Sequence, residues 1–316
     1  MIQINNKNTI GKTDIKLTKS RGLHFKDNIS LFILIMPALI CLILFNYMPM
    51  FGSILAFKDY RYNLGIFGSD WVGLENFKYF FTSNDALIVI RNTLAFNVVF
   101  ILCDVFFGVA AALLLYGVKR RIYVKYLQTT MLLPHFMSWV IISYITYALM
   151  DPVYGVFYKA LGIDKNWYTT LEVWPAILIL CHVWKNIGMK CIFYYAALLG
   201  IDETLYEAAK IDGANKWQQI KAITIPELRS IICILVILGV GSIFKGDFGL
   251  FYNVPMDVGV LYPVTDVIDT YVFRGLRSGD IGVNAAVGFV QSVVGLLTVL
   301  ASNAIVKKID EDSAMF

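Results

Sequence analysis

The chain has 316 residues, of which 58% are hydrophobic and 16% are charged, and its mean hydropathy is +0.65. A soluble domain of this length carries more charge and shorter apolar runs, so the composition indicates an integral membrane protein. The net charge of +4 is small and scattered, which argues against a nucleic-acid partner. All five cysteines lie in apolar runs, so we expect buried apolar residues rather than a metal site or a disulfide framework.

Six apolar runs are long enough to cross a bilayer, which takes about 20 helical residues. They are Ser30–Phe57, Asn92–Tyr116, Leu127–Met150, Trp174–Leu199, Ser230–Phe251 and Val283–Ile305. The first run lacks a small-residue cleavage site, so it is expected to be a retained anchor rather than a secretory signal. We therefore predict an all-α polytopic membrane protein with about six transmembrane helices. Its parts are an N-terminal tail (1–29), a transmembrane domain (30–306) and a C-terminal tail (307–316).

The positive charges predict the orientation in the membrane. Sixteen Lys and Arg residues fall on the side that holds both tails, and eight fall on the other side. The side of a membrane protein that is richer in Lys and Arg is usually cytoplasmic, so both termini are expected in the cytoplasm. The chain itself is expected in the plasma or inner membrane of the cell. The outer loop 57–81 is rich in aromatic residues, which suits either a headgroup-level helix and turn or a docking surface for an external partner.

The loop 201–228 is polar although it lies between two apolar runs, and this topology places it in the cytoplasm. Thr204 and Glu207 have the spacing of a capping box, which predicts a short helix over Leu205–Ile211. Gly213 can adopt the left-handed conformation that ends such a helix.

A second short helix is predicted to follow. Asn215 and Gln218 repeat the capping spacing, and the helix should run to about Ile223. Pro226 then stands near the entry of the next membrane helix, where a missing amide costs little. The apolar residues of the two helices offer a compact knob to a partner, although an amphipathic loop packed on the membrane or on this chain is an equally open alternative. These residues are Ala208, Ala209, Ile211, Trp217, Ile220 and Ile223.

The order Glu207-Ala208-Ala209, Asp212-Gly213-Ala214, then Ile223 and Ile225-Pro226 resembles the EAA motif of permease subunits in binding-protein-dependent ABC importers. The family usually has an aromatic residue where Ile220 stands and Leu where Ile225 stands. The resemblance implies the type I ABC importer permease fold, with this loop as the coupling helix in a cleft of the ATP-hydrolysing subunit. It assigns ATPase coupling to Glu207, Ala208, Ala209, Asp212, Gly213, Ala214 and Pro226.

Most of the chain is similar to the permeases of oligo- and polysaccharide importers, including those for pectin- and alginate-derived saccharides. The segments that carry this likeness are 48–60, 71–77, 91–93, 133–136 and 265–273. The resemblance implies a heterodimer with a second permease subunit, two ATP-binding subunits, an extracellular solute-binding protein and a saccharide substrate, all at lipid membranes. It implies no cofactor on this chain, because ATP and Mg would be bound by the partner ATPase subunits.

Motifs of catalysis are missing from the sequence. It has no GxxxxGK[ST] phosphate loop, no HExxH or CxxC cluster and no GxSxG, so we do not expect an enzyme. An ABC importer permease for another solute remains an alternative. A secondary transporter usually shows an internal repeat and an ion-coupling carboxylate near the membrane midplane, for which only Asp104 is a candidate.

Several polar residues lie inside the apolar runs, where a charge costs roughly 2.5–3.5 kcal/mol and usually faces a cavity or the protein interior. Each also has a simpler interpretation. Lys190 could snorkel, Asp104 could pair with a lysine, and His182 could pack in the core. Asn97 could bond between helices. Lys245 and Asp247 could lie beyond the outer end of the fifth span, if that span is shorter than Ser230–Phe251.

The functional interpretation of these residues is a translocation pathway. A resemblance to the maltose permease implies that the helices before and after the coupling loop hold the sugar. This assigns the substrate pathway to His182, Trp184, Lys185, Asn186, Met189, Lys190, Ser242 and Lys245. Tyr194 and Tyr195 are further candidates for stacking on a sugar ring, and the lysines could complement an acidic sugar such as a uronate.

Overall fold

The computed structural model describes residues 29–162 and 165–309. It divides into two units, Met1–Gly52 and Ser53–Phe316. The described part of the first unit is helical throughout. It contains α1 (Ile29–Leu42), a π-helical turn (Ile43–Tyr47) and α2 (Met48–Met50), after which a 3-10 helix covers Phe51–Phe57. The N-terminal tail, except for Ile29, and residues 310–316 of the C-terminal tail lie outside the described residues.

The second unit begins within this 3-10 helix, and a small hairpin and a series of helices follow. Its first elements are β1 (Lys58–Asp59), α3 (Gly65–Gly68), β2 (Asp70–Trp71), α4 (Glu75–Thr82) and α5 (Asn84–Tyr116). The strands are antiparallel, with Lys58 opposite Trp71. The Lys58 ammonium donates hydrogen bonds to the carbonyls of Ile66, Phe67 and Ser69, which closes the loop between the strands.

The rest of the second unit is formed by helices of very different lengths. They are α6 (Arg121–Phe136), α7 (Trp139–Met150), α8 (Val156–Leu161), α9 (Trp174–Leu198), α10 (Glu203–Ile211), α11 (Lys216–Gln219), α12 (Ile225–Glu227), α13 (Arg229–Gly241), α14 (Phe248–Asn253), α15 (Tyr262–Thr265), α16 (Ile268–Ser278) and α17 (Ile281–Ile309). A π-helical turn covers Ile220–Thr224, and 3-10 turns cover Trp167–Thr169, Leu171–Val173 and Gly259–Leu261.

Four stretches of the described chain are long and apolar enough to cross a membrane, and two bent helix pairs raise the number to six if each pair is one span. The four are Phe32–Phe57, Asn84–Tyr116, Leu171–Leu198 and Ile281–Ala304. The bent pairs are Arg121–Phe136 with Trp139–Met150, and Lys216–Glu227 with Arg229–Gly241. This confirms the prediction of an all-α polytopic membrane protein, apart from the small hairpin.

The second span begins earlier than the predicted start at Asn92. The Ser83 hydroxyl accepts a hydrogen bond from the Ala86 amide, and this cap starts α5 at Asn84. The helix has 33 residues and is therefore about 50 Å long, which exceeds the roughly 30 Å of hydrocarbon. The additional turns carry Asp85 and Arg91, and such polar residues hide a helix from a search for apolar runs.

The third span is broken, which the sequence analysis did not predict. Helices α6 and α7 meet at a bend of 95°. Met137 and Ser138 are extended there, and the Ser138 hydroxyl accepts a hydrogen bond from the Ile141 amide, so that α7 starts with a cap of its own. Pro134 lies in the last turn of α6 and offers no amide to that turn.

The fifth span ends at Gly241 rather than at Phe251. Residues 242–247 are not helical, and α14 starts afresh at Phe248 with the Asp247 carboxylate as its cap. The interpretation that Lys245 and Asp247 lie beyond an overdrawn span is therefore right about the helix. The predicted boundary was wrong because apolar residues continue on both sides of the unwound segment.

The core of the second unit is arranged around α9, which packs on α5 and α6. A β-carbon on Gly108 would meet the Tyr194 ring and Lys190, and one on Gly188 would meet the Met131 carbonyl, so these glycines allow close approach of α5 and α6 to α9. One buried cluster lies toward the loop end of α9 and includes Tyr194. Of the cysteines, Cys191 is buried, Cys103, Cys181 and Cys233 are half-buried and Cys41 is exposed, so the expected burial holds for one of the five.

Candidate functional site

Helices α10, α11 and α12 form a folded projection between the spans, which we call the coupling element (201–228). It begins with the Asp202 carboxylate, which accepts a hydrogen bond from the Thr204 amide at 2.9 Å. The predicted capping box at Thr204 and Glu207 is therefore wrong, because the shorter Asp202 side chain two residues earlier caps the helix. The bonds from Thr204 hold the pKa of Asp202 below its usual range.

The turn between the two arms of the element follows the sequence prediction. Gly213 has a φ of +81°, which is in the left-handed region. Asn215 and Gln218 form the predicted capping box, with hydrogen bonds of 2.9 and 2.7 Å. The second arm does not end near Ile223, since the chain stays helical through the π-turn to Glu227 and bends by 57° before α13.

Two polar contacts stabilise the element: one joins its two arms, and the other joins the second arm to the turn. The Tyr206 hydroxyl lies 2.9 Å from the Thr224 hydroxyl, and Gln219 donates to the Ala214 carbonyl at 3.0 Å. Thr224 and Gln219 are both buried. The π-turn places Thr224 toward α10, so it contributes directly to the shape of the element. The sequence analysis missed Tyr206, Gln219 and Thr224; their only signal is that they are polar residues between the apolar positions of the motif.

Two large apolar side chains of the coupling element are strongly exposed. Ile211 is 87% exposed and Trp217 is 65% exposed, although both are large hydrophobic residues. Exposed apolar side chains of this size are available for contact with another molecule. Of the assigned coupling residues, Glu207, Ala208, Asp212, Gly213 and Pro226 are exposed, and Ala209 and Ala214 are half-buried.

A cavity of about 470 Å³ separates the coupling element from the end of α5. It is lined on the α5 side by Tyr116 and Lys119 and on the element by Glu203, Tyr206 and Glu207. The Glu207 side chain therefore faces the junction between the element and a membrane span, where it can respond to movement of either part.

Inside the span, α9 is bound to α5 by a cluster of polar and charged side chains. The Asp104 carboxylate lies 2.9 Å from the Lys190 ammonium and 3.1 Å from Nε2 of His182. The His182 ring is stacked on Phe100 with centroids 3.8 Å apart. Asp104 is therefore a structural partner of a lysine, as one interpretation of the sequence held. The structure brings His182 and Lys190 together, although their polar groups face α5.

Lys185 has a different environment on the same helix. It is buried, and its ammonium donates to the carbonyls of Pro134, at 3.4 Å, His135, at 2.9 Å, and Met137. These carbonyls form the C-terminal end of α6, where a cation is favourable to the helix dipole. Lys185 thereby stabilises the break between α6 and α7, and the ammonium also lies 5.1 Å from the Trp139 ring centroid.

The other assigned residues of α9 are less involved in polar contacts. The Asn186 side chain donates to the His182 carbonyl of its own helix at 3.1 Å. Met189 is half-buried, and Trp184 is exposed at 43%. Tyr194 is 1% exposed, so its ring is not available for stacking on a sugar in this conformation, whereas Tyr195 is half-buried.

Ser242 and Lys245 lie apart from the α9 residues, in the unwound segment after α13. Both line a cavity of about 320 Å³ against α17, together with Gln291 and Ser292. Asn97, which was noted as polar inside a span, bonds to this segment rather than to a neighbouring helix side chain. The sequence analysis missed Gln291, whose signal would have been a lone amide in an apolar helix.

Comparison with known proteins identifies relatives over nearly the whole chain. Residues 104–311 match the family model described as "Binding-protein-dependent transport system inner membrane component". The polygalacturonan/rhamnogalacturonan transport system permease protein YteP of Bacillus subtilis (strain 168) is 36% identical, over 89% of each chain. Protein LplB of the same organism is 34% identical, over 94% of this chain and 95% of its own.

A solved structure has the same fold. It is that of a bacterial ABC transporter involved in the import of the acidic polysaccharide alginate, and one of its chains is 31% identical with a TM-score of 0.80. The match covers 90% of this chain and 98% of that one. A second structure shows the alginate transporter in complex with an alginate pentasaccharide-bound periplasmic protein, with a TM-score of 0.81. The predicted family and fold are confirmed, and so is the prediction that the chain is a transport component rather than an enzyme.

Proposed function

Because this chain belongs to the family of binding-protein-dependent transport system inner membrane components, we propose that it is one permease subunit of an ATP-driven saccharide importer. It carries an oligo- or polysaccharide that an extracellular binding protein delivers. The observation that carries the proposal is the coupling element. It exposes the large apolar side chains of Ile211 and Trp217, on a chain whose long helices are apolar enough to span a membrane.

The coupling element transmits the work of the ATPase subunits. Its apolar face docks into a cleft of an ATP-binding subunit, and closure of that subunit on ATP moves the element. During the movement, the contact between Tyr206 and Thr224 keeps its arms together, and the hydrogen bond from Gln219 to Ala214 holds the second arm to the turn. Since α9 precedes the element and α12 leads into α13, the movement reaches both helices that flank it.

The assembly follows from this role. Two ATP-binding subunits hold ATP and Mg, and this chain binds neither. A second permease subunit completes the membrane part as a heterodimer. The binding-protein partner is supported by the alginate transporter, whose structure includes a saccharide-bound periplasmic protein. Both termini and the coupling element lie in the cytoplasm, in keeping with the distribution of positive charge.

The substrate is an acidic saccharide. The named relatives support this: one is a polygalacturonan/rhamnogalacturonan permease and another belongs to an importer of the acidic polysaccharide alginate. Uronates should therefore stimulate the ATPase activity of the assembled transporter more than neutral oligosaccharides of the same length do. Equal stimulation would remove the acidic preference but leave the saccharide importer in place.

Purification of the chain with its partners tests the proposal. An affinity tag on this chain should recover an ATP-binding subunit and a second permease subunit from mild detergent. In proteoliposomes with the external binding protein, this complex should take up saccharide only when ATP is supplied. Recovery of the chain alone, or uptake driven by an ion gradient without ATP, would contradict the proposed function.

A further inference from the structure

Three lysines lie in the region that the sequence analysis assigned to the substrate pathway, and the structure separates them. The Lys185 ammonium is occupied by carbonyls at the end of α6. The Lys190 ammonium is occupied by the Asp104 carboxylate. The Lys245 ammonium makes no hydrogen bond or ion pair with any described residue. It therefore remains available to a ligand when the other two do not.

Lys245 belongs to the unwound segment between α13 and α14, whose contacts place it beside the middle of two candidate spans. Helix α13 has 13 residues and is about 20 Å long, so it ends before it could cross roughly 30 Å of hydrocarbon. The unwound segment contacts Asn97 in α5 and Gln291 in α17, both of which lie near the middle of their candidate spans. Irregular backbone at this depth is tolerated where it is covered by protein or lines a water-filled cavity.

Side chains of neighbouring helices satisfy the backbone of this segment. The Asn97 amide lies within 3.0 Å of the Ile243 and Lys245 carbonyls. Gln291 donates to the Phe244 carbonyl at 2.6 Å, and the Gly246 amide donates to the Asp269 carboxylate at 2.5 Å. The polar side chains of the neighbouring helices thus form hydrogen bonds with the backbone of the unwound segment. These bonds give the segment a defined conformation.

The Lys245 side chain lines the cavity of about 320 Å³ between this segment and α17. Ser242, Gln291 and Ser292 add polar groups to its wall. Placing a charged ammonium at this depth costs several kcal/mol unless it contacts water or an anion. The cavity provides the space for such a contact. Asp269 is close enough to interact electrostatically with Lys245, but its carboxylate accepts the bonds from Gly246 and Gln291.

We infer that Lys245 is the residue of this chain that selects for a carboxylate on the passing saccharide. The inference rests on the proposed function, since it needs a saccharide in the pathway. The ammonium offers three donors to a uronate carboxylate, and the hydroxyl of Ser242 lies on the same cavity wall for the sugar hydroxyls. Lys185 and Lys190 take no part in this selection and act as positioning residues of α9.

The test compares one saccharide in charged and uncharged forms. The complete importer is reconstituted with its binding protein, and uptake is measured for an oligogalacturonate and for its methyl ester at concentrations that saturate the binding protein. Lys245→Met and Lys245→Gln replace the lysine by neutral side chains of different shape, and Lys245→Arg keeps the positive charge. Each charge-removing variant should reduce the preference for the acid form about tenfold, which corresponds to about 1.4 kcal/mol. Uptake of the ester should stay within about twofold of wild type, and Lys245→Arg should keep most of the preference.

The outcomes separate this inference from the proposed function. If the wild-type importer takes up saccharide but Lys245→Met and Lys245→Gln lower the acid and the ester equally, Lys245 is structural and the inference is overturned. An unchanged preference in both variants overturns it as well. If the wild-type assembly takes up no saccharide in the presence of ATP, the proposed function itself is overturned, and this inference with it.

Discussion

Gly213 gives the sharpest test of the coupling element, because its conformation and its surroundings are both known. Its φ of +81° lies in the left-handed region, and a β-carbon built there would have no atom within 4 Å. Gly213→Val would therefore introduce conformational strain without a steric clash. A left-handed conformation costs roughly 1–2 kcal/mol for a residue with a side chain, and a β-branched residue lies at the upper end.

Strain of this size shifts the population of the correctly shaped turn by a factor of about 5 to 30. Gly213→Val should accordingly lower the amount of saccharide imported per ATP hydrolysed by about tenfold. Gly213→Asn is the matched control, because asparagine tolerates the left-handed region, and it should remain within about twofold of wild type. The assay is uptake and ATP turnover measured together in proteoliposomes.

A second control separates coupling from general stability. Gly279 ends α16 with a φ of +98° and also has open space around its β-carbon position. Gly279→Val should cause similar strain and lower the unfolding temperature, but it should not change the ratio of uptake to ATP hydrolysis. The reasoning would be refuted if Gly213→Val kept the wild-type ratio, or if Gly279→Val lowered that ratio as much as Gly213→Val does.

Three further predictions concern the residues that hold the spans together. Removing one partner of the cluster, as in Lys190→Met or Asp104→Asn, should cost about 1–3 kcal/mol, because the remaining half-buried charge loses its partner. The double variant should recover most of that loss in thermal unfolding. Additive losses would show that the two groups do not interact. Lys185→Met should lower the free energy of unfolding by about 1–3 kcal/mol, because it leaves the carbonyls at the end of α6 unpaired. Lys185→Arg should stay closer to wild type. Equal unfolding temperatures for wild type, Lys185→Met and Lys185→Arg would contradict the capping role. Asn97→Leu should destabilise the unwound segment by a similar amount and speed up amide hydrogen exchange in residues 242–247. Unchanged exchange rates there would show that Asn97 does not stabilise this segment.

The sequence predicted those features that depend on local chemistry. The apolar runs identified the membrane class, and the spacing of Asn215 and Gln218 identified a helix start that the structure contains. Gly213 was expected in the left-handed region because few other residues adopt it. These features are set by neighbouring residues and need no knowledge of the rest of the fold.

The features that the sequence did not predict depend on contacts between distant segments. The break after α6 is stabilised by Lys185, about fifty residues later in the chain. The unwound segment after α13 depends on Asn97 and Gln291 in two other helices. A search for apolar runs misses the first interruption, because the residues around it are mostly apolar. At the second, Lys245 and Asp247 were compatible with an earlier end of the helix, but the sequence could not show the contacts that shape the unwound segment.

The same limit applies to the charged residues of α9. Their spacing placed His182, Lys185 and Lys190 in the span but could not show which partner each one meets. In the structure, Lys190 pairs with Asp104 and Lys185 donates to carbonyls at the end of α6. Lys245, in the unwound segment after α13, lines a cavity. The long reach of a lysine side chain allows many partners, so only the packing of the helices determines which one it contacts.

Photo-crosslinking from the exposed face of the coupling element is the most direct test of its docking to an ATPase subunit. A benzophenone amino acid at Ile211, in the intact importer within membranes, should capture the ATP-binding subunit. The same group at Tyr154, which is 74% exposed on the loop after α7, serves as the control and should not. Capture of the external binding protein from Ile211, or no adduct with the ATP-binding subunit in an active importer, would contradict the account.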